Sequence, residues 1–358
     1  MARKSKESLF PLHPYVINPL QLGGIELVRH LDGPGAGTRS AWVNTGSGLQ
    51  YKVLIDRGLD IGEAFYKGTS LTWLSLGGSP APEMALNKGL DWLWGFYCGL
   101  LASCGPSSAG APCLDKGQEL SLHGRHSNIP ATIESVVSPD PVRGVDAMSI
   151  TGIVREAKLF NPNQELRRTI SSPLGGSRII IEDTIINRGN ETADHAWLLH
   201  INFGYPLLEP GARFIFSGTV NPLPAYRDYY TKRNFTVIPK PLNAHRGAGE
   251  ACAYIDPKAD RDGLVHCGVL NAKRKIAVKI SFAKAHFPRF VNWQHFGPDG
   301  QFVMGIEPAN CGVEGRNVDR QRGWLDRLKP GQVKQYRAEI EVLEGTKALA
   351  QFRKLAGK

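Results

Sequence analysis

Alternation of apolar and polar residues with a period of two is the feature that most constrains how this chain can fold. Residues 275–282 read KIAVKISF and residues 336–342 read YRAEIEV, so every second side chain is apolar. Such alternation indicates strands with one buried face and one exposed face. Further strands are predicted at residues 24–30, 49–56, 131–137, 147–154, 164–171, 178–187, 195–202, 212–217, 264–270, 287–293 and 301–306.

Helical patterns are scarce, and turn residues are frequent. Residues 346–355 predict a C-terminal helix, and residues 92–101 fit either a short helix or an irregular buried segment. The 358 residues include 40 Gly and 24 Pro, which is typical of many turns between short strands. This pattern predicts a mainly β fold, a large antiparallel β-sandwich with few short helices. We expect one domain over residues 1–358, with residues 1–22 as an N-terminal arm.

The composition narrows the class of protein. The net charge is +10, but the basic residues are scattered, and the clusters at residues 2–6 and 272–275 are short. The second cluster is typical of a hairpin turn, so we expect no nucleic-acid partner. The six Cys show no metal-binding spacing and indicate a reducing compartment. No signal peptide and no apolar run of roughly 18 residues is present, so we expect a cytoplasmic protein without a membrane partner. The sequence does not indicate an oligomeric state.

Three segments far apart in the sequence each carry a residue suited to proton transfer. His123 lies in LSLHGRHSNIP, His200 in WLLHINFGYPLL and Glu307 in VMGIEPANCG. A carboxylate and two imidazoles are the minimal set for moving protons on a neutral substrate near neutral pH. Each also has a structural interpretation, as a satisfied core imidazole or an ordinary acid at a strand end. The chain lacks GxGxxG, GxxxxGK[ST], HExxH and GxSxG motifs, which argues against nucleotide-dependent and common hydrolase chemistries.

Other residues are candidates for binding a substrate. Arg57 and Asp60 lie in DRGLDIG, where a strand ends in a tight turn. They form either a turn salt bridge or a guanidinium and a carboxylate that bind substrate oxygens. Asn202 shares a strand face with His200 and would place a second polar group beside it.

An aromatic residue next to an amide and an imidazole follows a predicted strand at Trp293, Gln294 and His295. This composition suits a sugar, whose C–H face packs on the ring while polar groups bind its hydroxyls. His123 and His126 form an H-x-x-H pair around Gly124, which chelates a metal only if the chain turns between them. The alternative is one functional and one surface histidine.

These motifs, in this order, resemble the galactose mutarotase-like superfamily, the aldose 1-epimerases, and in particular a bacterial branch named DUF4432. The resemblance spans about residues 24–342 and is carried by RGLDIG at 57–62, LHGR at 122–125, HINFGYPLL at 200–208 and GIEPAN at 305–310. It implies a β-sandwich with the site on one concave face. By position it implies that His200 protonates the ring oxygen, that Glu307 takes the proton of the anomeric hydroxyl, and that His123 and Arg57 hold the sugar. The two catalytic groups are expected several ångströms apart, with room for one ring between them.

The sequence also departs from the pattern of that superfamily. Arg125 stands where the superfamily has a glycine, and a guanidinium there favours an anionic sugar. We expect Arg125 and Arg57 to line the same cleft. The superfamily's sugar-binding Asp has no counterpart in this chain.

Three functions remain open at this point. The leading one is acid–base interconversion of sugar anomers, with a small carbohydrate as the partner and no cofactor. The second is a lyase or epimerase that acts on a keto-sugar or uronate. That reaction would be assisted by a divalent metal on some of His123, His126, His200, His295 and Glu307. The third is a carbohydrate-binding protein without activity.

Overall fold

The computed structural model describes residues 16–356, so most of the predicted N-terminal arm, residues 1–15, lies outside the described residues. The described strands follow in chain order as β1 (Gly24–Arg29), β2 (Arg39–Asn44), β3 (Leu49–Leu54), β4 (Asp60–Tyr66), β5 (Thr69–Ser70), β6 (Leu101–Cys104), β7 (Cys113–Asp115), β8 (Gln118–Leu120), β9 (Thr132–Val137), β10 (Ala147–Ala157), β11 (Asn163–Pro173), β12 (Arg178–Asn187), β13 (Ala193–His195), β14 (Leu198–Gly204), β15 (Arg213–Ile215), β16 (Gly218–Pro222), β17 (Ala251–Pro257), β18 (Leu264–Asn271), β19 (Ile276–Ala283), β20 (Arg289–Phe296), β21 (Phe302–Ala309), β22 (Asp326–Leu328) and β23 (Val333–Glu344).

Helices are few and short, as the sequence predicts. The α-helices are α1 (Trp92–Gly95), α2 (Arg227–Lys232), α3 (Arg316–Arg322) and α4 (Thr346–Ala356). Single 3-10 turns lie at Pro19–Gln21, His126–Asn128, Pro141–Arg143, Pro224–Tyr226 and Asn243–His245. None of the helices in residues 16–356 is long and apolar enough to cross a membrane.

Two large antiparallel sheets make up a β-sandwich. The larger has 11 strands in the order β1-β2-β3-β4-β6-β14-β21-β20-β17-β16, with β5 paired to β4. The other has 8 strands in the order β15-β18-β19-β23-β12-β11-β10-β9. The pairs β7-β8 and β13-β22 form two small separate ribbons. The antiparallel sandwich predicted from the alternating pattern is therefore confirmed.

The period of two places one face of each sheet in a shared apolar core. Ile201 and Ile306 of the larger sheet and Ile181 and Ile340 of the smaller one belong to a single buried cluster. Alternate side chains of a strand point to opposite faces. The residues next to Ile201 on β14 and next to Ile306 on β21 that are not in the core therefore face away from the smaller sheet. This second face of the larger sheet is where the candidate site lies.

A charged network crosses the core between the two sheets. Arg168 on β11 is fully buried, and it donates to Asp60 on β4 and to Asp183 on β12, at 2.7 Å each. It also donates to the Ser103 hydroxyl on β6 at 2.9 Å. Ser103 and Tyr97 donate to the Asp60 carboxylate as well. The network leaves Asp60 surrounded by donors inside the fold.

Most predicted strands are present, but several boundaries differ. The strand at residues 178–187 and the turn at residues 272–275, between β18 and β19, match the prediction. The strand predicted at residues 195–202 is broken after His195, because β13 pairs with β22 while β14 joins the larger sheet. The tight turn predicted at DRGLDIG ends earlier, since Asp60 already begins β4. The strands that were not predicted are β2, β4, β5, β6, β7, β8, β16, β17 and β22.

The buried imidazole of His126 supports a prediction about stability and pH. Burial lowers the pKa of His126 to about 3, and the charge of Arg168 adds to this effect. The unfolded chain, with an ordinary imidazole pKa near 6.5, therefore binds a proton that the native protein excludes between about pH 6.5 and pH 3. The stabilisation that His126 contributes is present above pH 6.5 and is lost as the pH falls.

We therefore expect the stability advantage of the wild type over His126→Gln to shrink by up to about 1.4 kcal/mol per pH unit below 6.5. Urea unfolding of both proteins at pH 7, 6 and 5 measures this difference. A difference in unfolding free energy that stays constant from pH 7 to pH 5 would contradict the assignment of His126 as a neutral buried imidazole.

Candidate active site

His200 and Glu307 lie on adjacent strands and face away from the apolar core. Leu199 and Ile201 flank His200 on β14 and are core residues, as is Ile306 next to Glu307 on β21. Because Ile201 is the register partner of Ile306, His200 and Glu307 are neighbours on the opposite face of the sheet. The strand pattern thus brings together two residues that are 107 positions apart.

The two side chains are in direct contact. His200 Nε2 lies 3.4 Å from Glu307 Oε1, and the side chains are only 6% and 2% exposed. Neither His200 Nδ1 nor Glu307 Oε1 has a hydrogen-bond partner among the described residues. The expected gap with room for a sugar ring between the groups is therefore wrong, and a substrate must approach the pair from one side.

A glycine on the same strand makes space for the carboxylate. Gly305 is two residues before Glu307, so both face the same side of β21. A Cβ atom at Gly305 would lie 2.3 Å from Glu307 Oε1, closer than side chains tolerate. Gly305 thus leaves room for the carboxylate in this position.

His123 is the third titratable group. Its ring centroid is 5.6 Å from that of His200, in an edge-to-face arrangement. The backbone of His123 has φ 57°, and its Nδ1 accepts a hydrogen bond from the Gly110 N–H at 3.4 Å. With Nδ1 as the acceptor, a neutral imidazole carries its proton on Nε2 and can donate it to a ligand.

Burial changes the proton affinity of all three groups. It lowers the pKa of His123 to about 3 and the pKa of His200 to about 4. It raises the pKa of Glu307 well above its usual range, and the nearby charge of Glu250 adds to this effect. A dry site disfavours the ion pair, so burial favours the form of the pair in which Glu307 holds the proton and His200 is neutral.

These residues open into a cavity of about 710 Å³ that has aromatic walls. Trp92 and Phe96 are stacked with ring centroids 4.4 Å apart, and Trp92 lies 4.7 Å from the His123 ring. Trp293 packs edge-to-face on His200 at 5.5 Å and is parallel to His295. The cavity therefore combines a small polar reacting edge with broad ring surfaces, the composition that suits a sugar.

Gln294 and Asn202 do not reach this cavity. Gln294 points to the opposite side of β20 from Trp293 and His295, where it accepts a hydrogen bond from Tyr229 and donates one to the Asn292 side chain. Asn202 is on the same face as His200, as predicted, but its amide donates to the carbonyl groups of Cys98 and His200. The prediction that both line the binding site is wrong. Alternate side chains of β20 point to opposite faces, so Gln294 points away from the cavity, and the loop that contains Cys98 covers Asn202.

Arg57 and Asp60 do not line the cavity either, and they do not pair with each other. Asp60 belongs to the core network with Arg168. Arg57 is 2% exposed and donates to three backbone carbonyl groups, those of Ser127, Pro80 and Gly95, at 2.6–2.7 Å. The expectation that Arg57 binds substrate directly is corrected, since the side chain is buried and each of its three nitrogens already donates to a backbone carbonyl group.

Arg125 lies on a different surface from the one predicted. It lines a second cavity, of about 730 Å³, together with Glu156 and Arg316. The chain turns at Gly124, so that Leu122 and His123 face the first cavity and Arg125 the second. The expectation that Arg125 and Arg57 share a cleft with His200 is wrong, and so is the argument from Arg125 for an anionic sugar.

The two histidines of the H-x-x-H pair point in different directions. His126 is buried against Trp197, and its Nε2 is 2.9 Å from the Gly58 carbonyl oxygen. His123 faces the cavity instead. No group of three or more His, Cys, Asp or Glu in residues 16–356 is arranged to hold a metal ion.

Two residues of the site carried no clear signal in the sequence. Trp92 lies in an apolar segment that fits a buried element equally well, and its indole N–H donates to the Ser127 hydroxyl at 3.0 Å. Glu250 follows a glycine-rich loop and accepts hydrogen bonds from Trp293 and Tyr226, at 2.7 and 2.9 Å. Only the folded arrangement shows that Glu250 fixes the Trp293 ring.

The contacts of Arg57 give it a role in positioning the cavity wall. Its carbonyl partners Pro80 and Gly95 bracket residues 81–94, which supply Leu90, Trp92 and Leu93 to the cavity. Its third partner, Ser127, also accepts the hydrogen bond from Trp92. One guanidinium thus joins the aromatic wall to the loop that carries His123.

We expect Arg57→Lys to loosen this wall, because an ammonium group cannot bridge three carbonyl groups in fixed directions. Amide hydrogen exchange in residues 81–94 should accelerate, and ligand affinity should fall by about 10-fold or more. Arg39→Lys is the matched control, since Arg39 makes an exposed ion pair with Asp56 of the same turn. Exchange rates that are equal in the two variants would argue against the positioning role.

Comparison with known proteins agrees with this architecture. The family model described as a domain of unknown function, DUF4432, matches residues 35–342. The chain belongs to the DUF4432 family. No curated protein shows a significant match to the sequence.

Solved structures share the fold of this DUF4432 protein. A proposed aldose 1-epimerase from Klebsiella pneumoniae has a TM-score of 0.85 at 23% identity, covering 94% of this chain and 89% of that one. A galactose mutarotase-like protein from Clostridium acetobutylicum has a TM-score of 0.61 at 13% identity, covering 90% and 98%. A proposed aldose 1-epimerase from Escherichia coli K12 has a TM-score of 0.54 at 13% identity, covering 84% and 97%. At these identities the likeness shows the fold.

Proposed function

We propose that this protein is an acid–base isomerase of the aldose 1-epimerase type, which interconverts the anomers of a small sugar. The observation that carries the proposal is the buried His200–Glu307 contact, with His200 Nδ1 and Glu307 Oε1 unpartnered among the described residues. Buried polar atoms without partners are rare in folded proteins and mark places where a ligand completes the hydrogen bonding. The likeness in fold to proposed epimerases supports the same class.

The contact distance suits the atoms that exchange protons in this reaction. The ring oxygen O5 and the anomeric oxygen O1 are bonded to the same carbon, C1. An acid and a base that serve these two oxygens must therefore be neighbours, as His200 Nε2 and Glu307 Oε1 are at 3.4 Å. The sugar would place its C1 edge over the pair rather than between the two groups.

Ring opening and ring closure each transfer one proton between the sugar and Glu307 and one between the sugar and His200. With Glu307 ionised and His200 protonated, Glu307 takes the O1 proton, His200 gives a proton to O5, and the C1–O5 bond breaks. The open-chain aldehyde then faces a protonated Glu307 and a neutral His200, the state that burial favours. Rotation about C1–C2 and return of the protons close the ring as either anomer. General acid–base assistance of this kind contributes about 10²–10⁴-fold per group.

The remaining lining residues would orient the sugar. A neutral His123 donates from Nε2 to a hydroxyl or ring oxygen, and its low pKa keeps it from adding a positive charge. Trp293 and the Trp92–Phe96 stack offer faces for the C–H surface of a pyranose. Expulsion of water from this site strengthens the polar contacts at the reacting edge.

Two other functions make different use of the same cavity. A lyase or epimerase on a keto-sugar would remove a carbon-bound proton, and a binding protein would catalyse nothing. Anomer exchange in D₂O distinguishes the three, followed by proton NMR with a panel of aldoses and keto-sugars. We expect faster α–β interconversion with every C–H signal retained. Loss of a C–H signal to deuterium would favour the lyase or epimerase, and ligand binding without any exchange would favour the binding protein.

A further inference from the structure

The charged side chains that line the cavity in the described part of the chain are acidic. Among residues 16–356, the side chains that line it include Glu250, Glu307 and Glu314 but neither Lys nor Arg. Glu314 is paired with Arg322. Glu250 accepts hydrogen bonds only from the neutral donors of Trp293 and Tyr226 among the described residues. The carboxylate of Glu250 therefore has no basic partner among the described residues.

Aromatic rings stand next to this carboxylate. Trp293 donates a hydrogen bond to Glu250 from its indole N–H, and Tyr226 donates one from its hydroxyl. Trp73, Trp92 and Phe96 contribute further rings to the same cavity. Ring faces combined with carboxylates, and without cationic side chains, are the environment in which proteins hold ammonium groups.

We propose that the preferred substrate is a cationic amino sugar, an aldose in which a protonated amine replaces one hydroxyl group. This inference rests on the proposed function and adds the substrate class. The ammonium group would lie near Glu250 and the Trp293 ring while C1 faces His200 and Glu307. A uronate or sugar phosphate would bring a second negative charge to Glu250 and be rejected.

The amine would also assist the reaction at the pair. Glu250 raises the proton affinity of Glu307 by charge repulsion. An ammonium group next to Glu250 offsets that charge and makes the ionised form of Glu307 more accessible. Substrate binding would therefore help to form the base that the first half of the reaction requires.

The test compares four sugars of the same ring type that differ in charge: glucosamine and N-acetylglucosamine, which differ at C2, glucuronate, which carries its charge at C6, and glucose. Anomer exchange above the buffer rate gives kcat/KM for each, and Trp fluorescence titration gives binding independently. We expect glucosamine to exceed glucose and N-acetylglucosamine by about tenfold or more, and glucuronate to be inactive. Acetylation is the sharpest contrast, because it removes the charge and leaves the ring unchanged.

The variant Glu250→Gln should reduce the ratio of glucosamine to glucose activity to about one, and added salt should reduce it in the wild type. Glu156→Gln, which removes a buried carboxyl from the second cavity, should keep the ratio. Exchange of glucose equal to or faster than glucosamine would overturn this inference and leave the proposed function in place. Binding of glucosamine without exchange would overturn the function and keep the cationic ligand. Absence of both binding and exchange would overturn both.

Discussion

Replacing Glu307 by glutamine is expected to lower enzyme-dependent anomer exchange by about 10²–10⁴-fold while the protein remains folded. Glutamine keeps the shape of the side chain but cannot accept a proton near neutral pH. The loss should fall on kcat rather than on ligand affinity, because the group acts in the transition state. Burial raises the pKa of Glu307 and so favours its neutral form, and we therefore expect that a neutral amide does not lower the free energy of unfolding at pH 7.

Glu307 also makes the stability of the folded protein depend on pH. A raised pKa in the folded state means that the native protein binds a proton above pH 4.5 that the unfolded chain releases. The stability that Glu307 contributes is present at low pH and is lost as the pH rises. Glu307→Gln should therefore gain stability relative to the wild type as the pH increases. A variant that is less stable at pH 8 and keeps the wild-type rate would show that Glu307 is a structural acid.

Replacing Arg168 by methionine is expected to lower the free energy of unfolding by about 3–5 kcal/mol at pH 7. The change leaves the carboxylates of Asp60 and Asp183 buried between the two sheets without their shared guanidinium. Both must then be protonated or hydrated inside the core. Because protonation relieves the defect, the deficit should shrink as the pH is lowered toward 5. Guanidinium-induced unfolding at pH 7 and pH 5 measures it.

The neighbouring residue provides a matched control. Arg167 makes an exposed ion pair with Glu134, with side chains 53% and 35% exposed, so Arg167→Met should cost less than about 1 kcal/mol. The two variants delete the same charge from adjacent positions on opposite faces of β11. Equal losses of stability in the two variants would mean that the buried network does not hold the sheets together.

The alternating pattern was sufficient to predict the sandwich, and the resemblance to the aldose 1-epimerases singled out His200 and Glu307 within it. A period of two decides which residues share a face, and it places His200 and Glu307 outside the core once their strands are adjacent. The same period explains why Gln294 fails as a binding residue although it lies between Trp293 and His295. The three residues are adjacent in the sequence, but alternate side chains of β20 point to opposite faces. Gln294 therefore lies on the other side of the strand from Trp293 and His295.

Contacts made by loops were beyond the reach of pattern analysis. Arg57 donates hydrogen bonds to carbonyl groups of three segments that are close together only in the folded chain. Because the chain turns at Gly124, Arg125 lines a different cavity. Glu250 is polar and exposed, and nothing in its local sequence distinguishes it from a solvated loop residue. Its role follows from the position of the Trp293 ring, which depends on the pairing of β17 with β20.

The most direct test of the account is the rate of α–β exchange measured by NMR at increasing concentrations of protein. We expect a rate that rises linearly with wild-type protein for at least one sugar of the panel, and a slope that nearly vanishes for Glu307→Gln. A wild-type slope of zero for every sugar would contradict the assignment of His200 and Glu307 as an acid–base pair for anomer exchange.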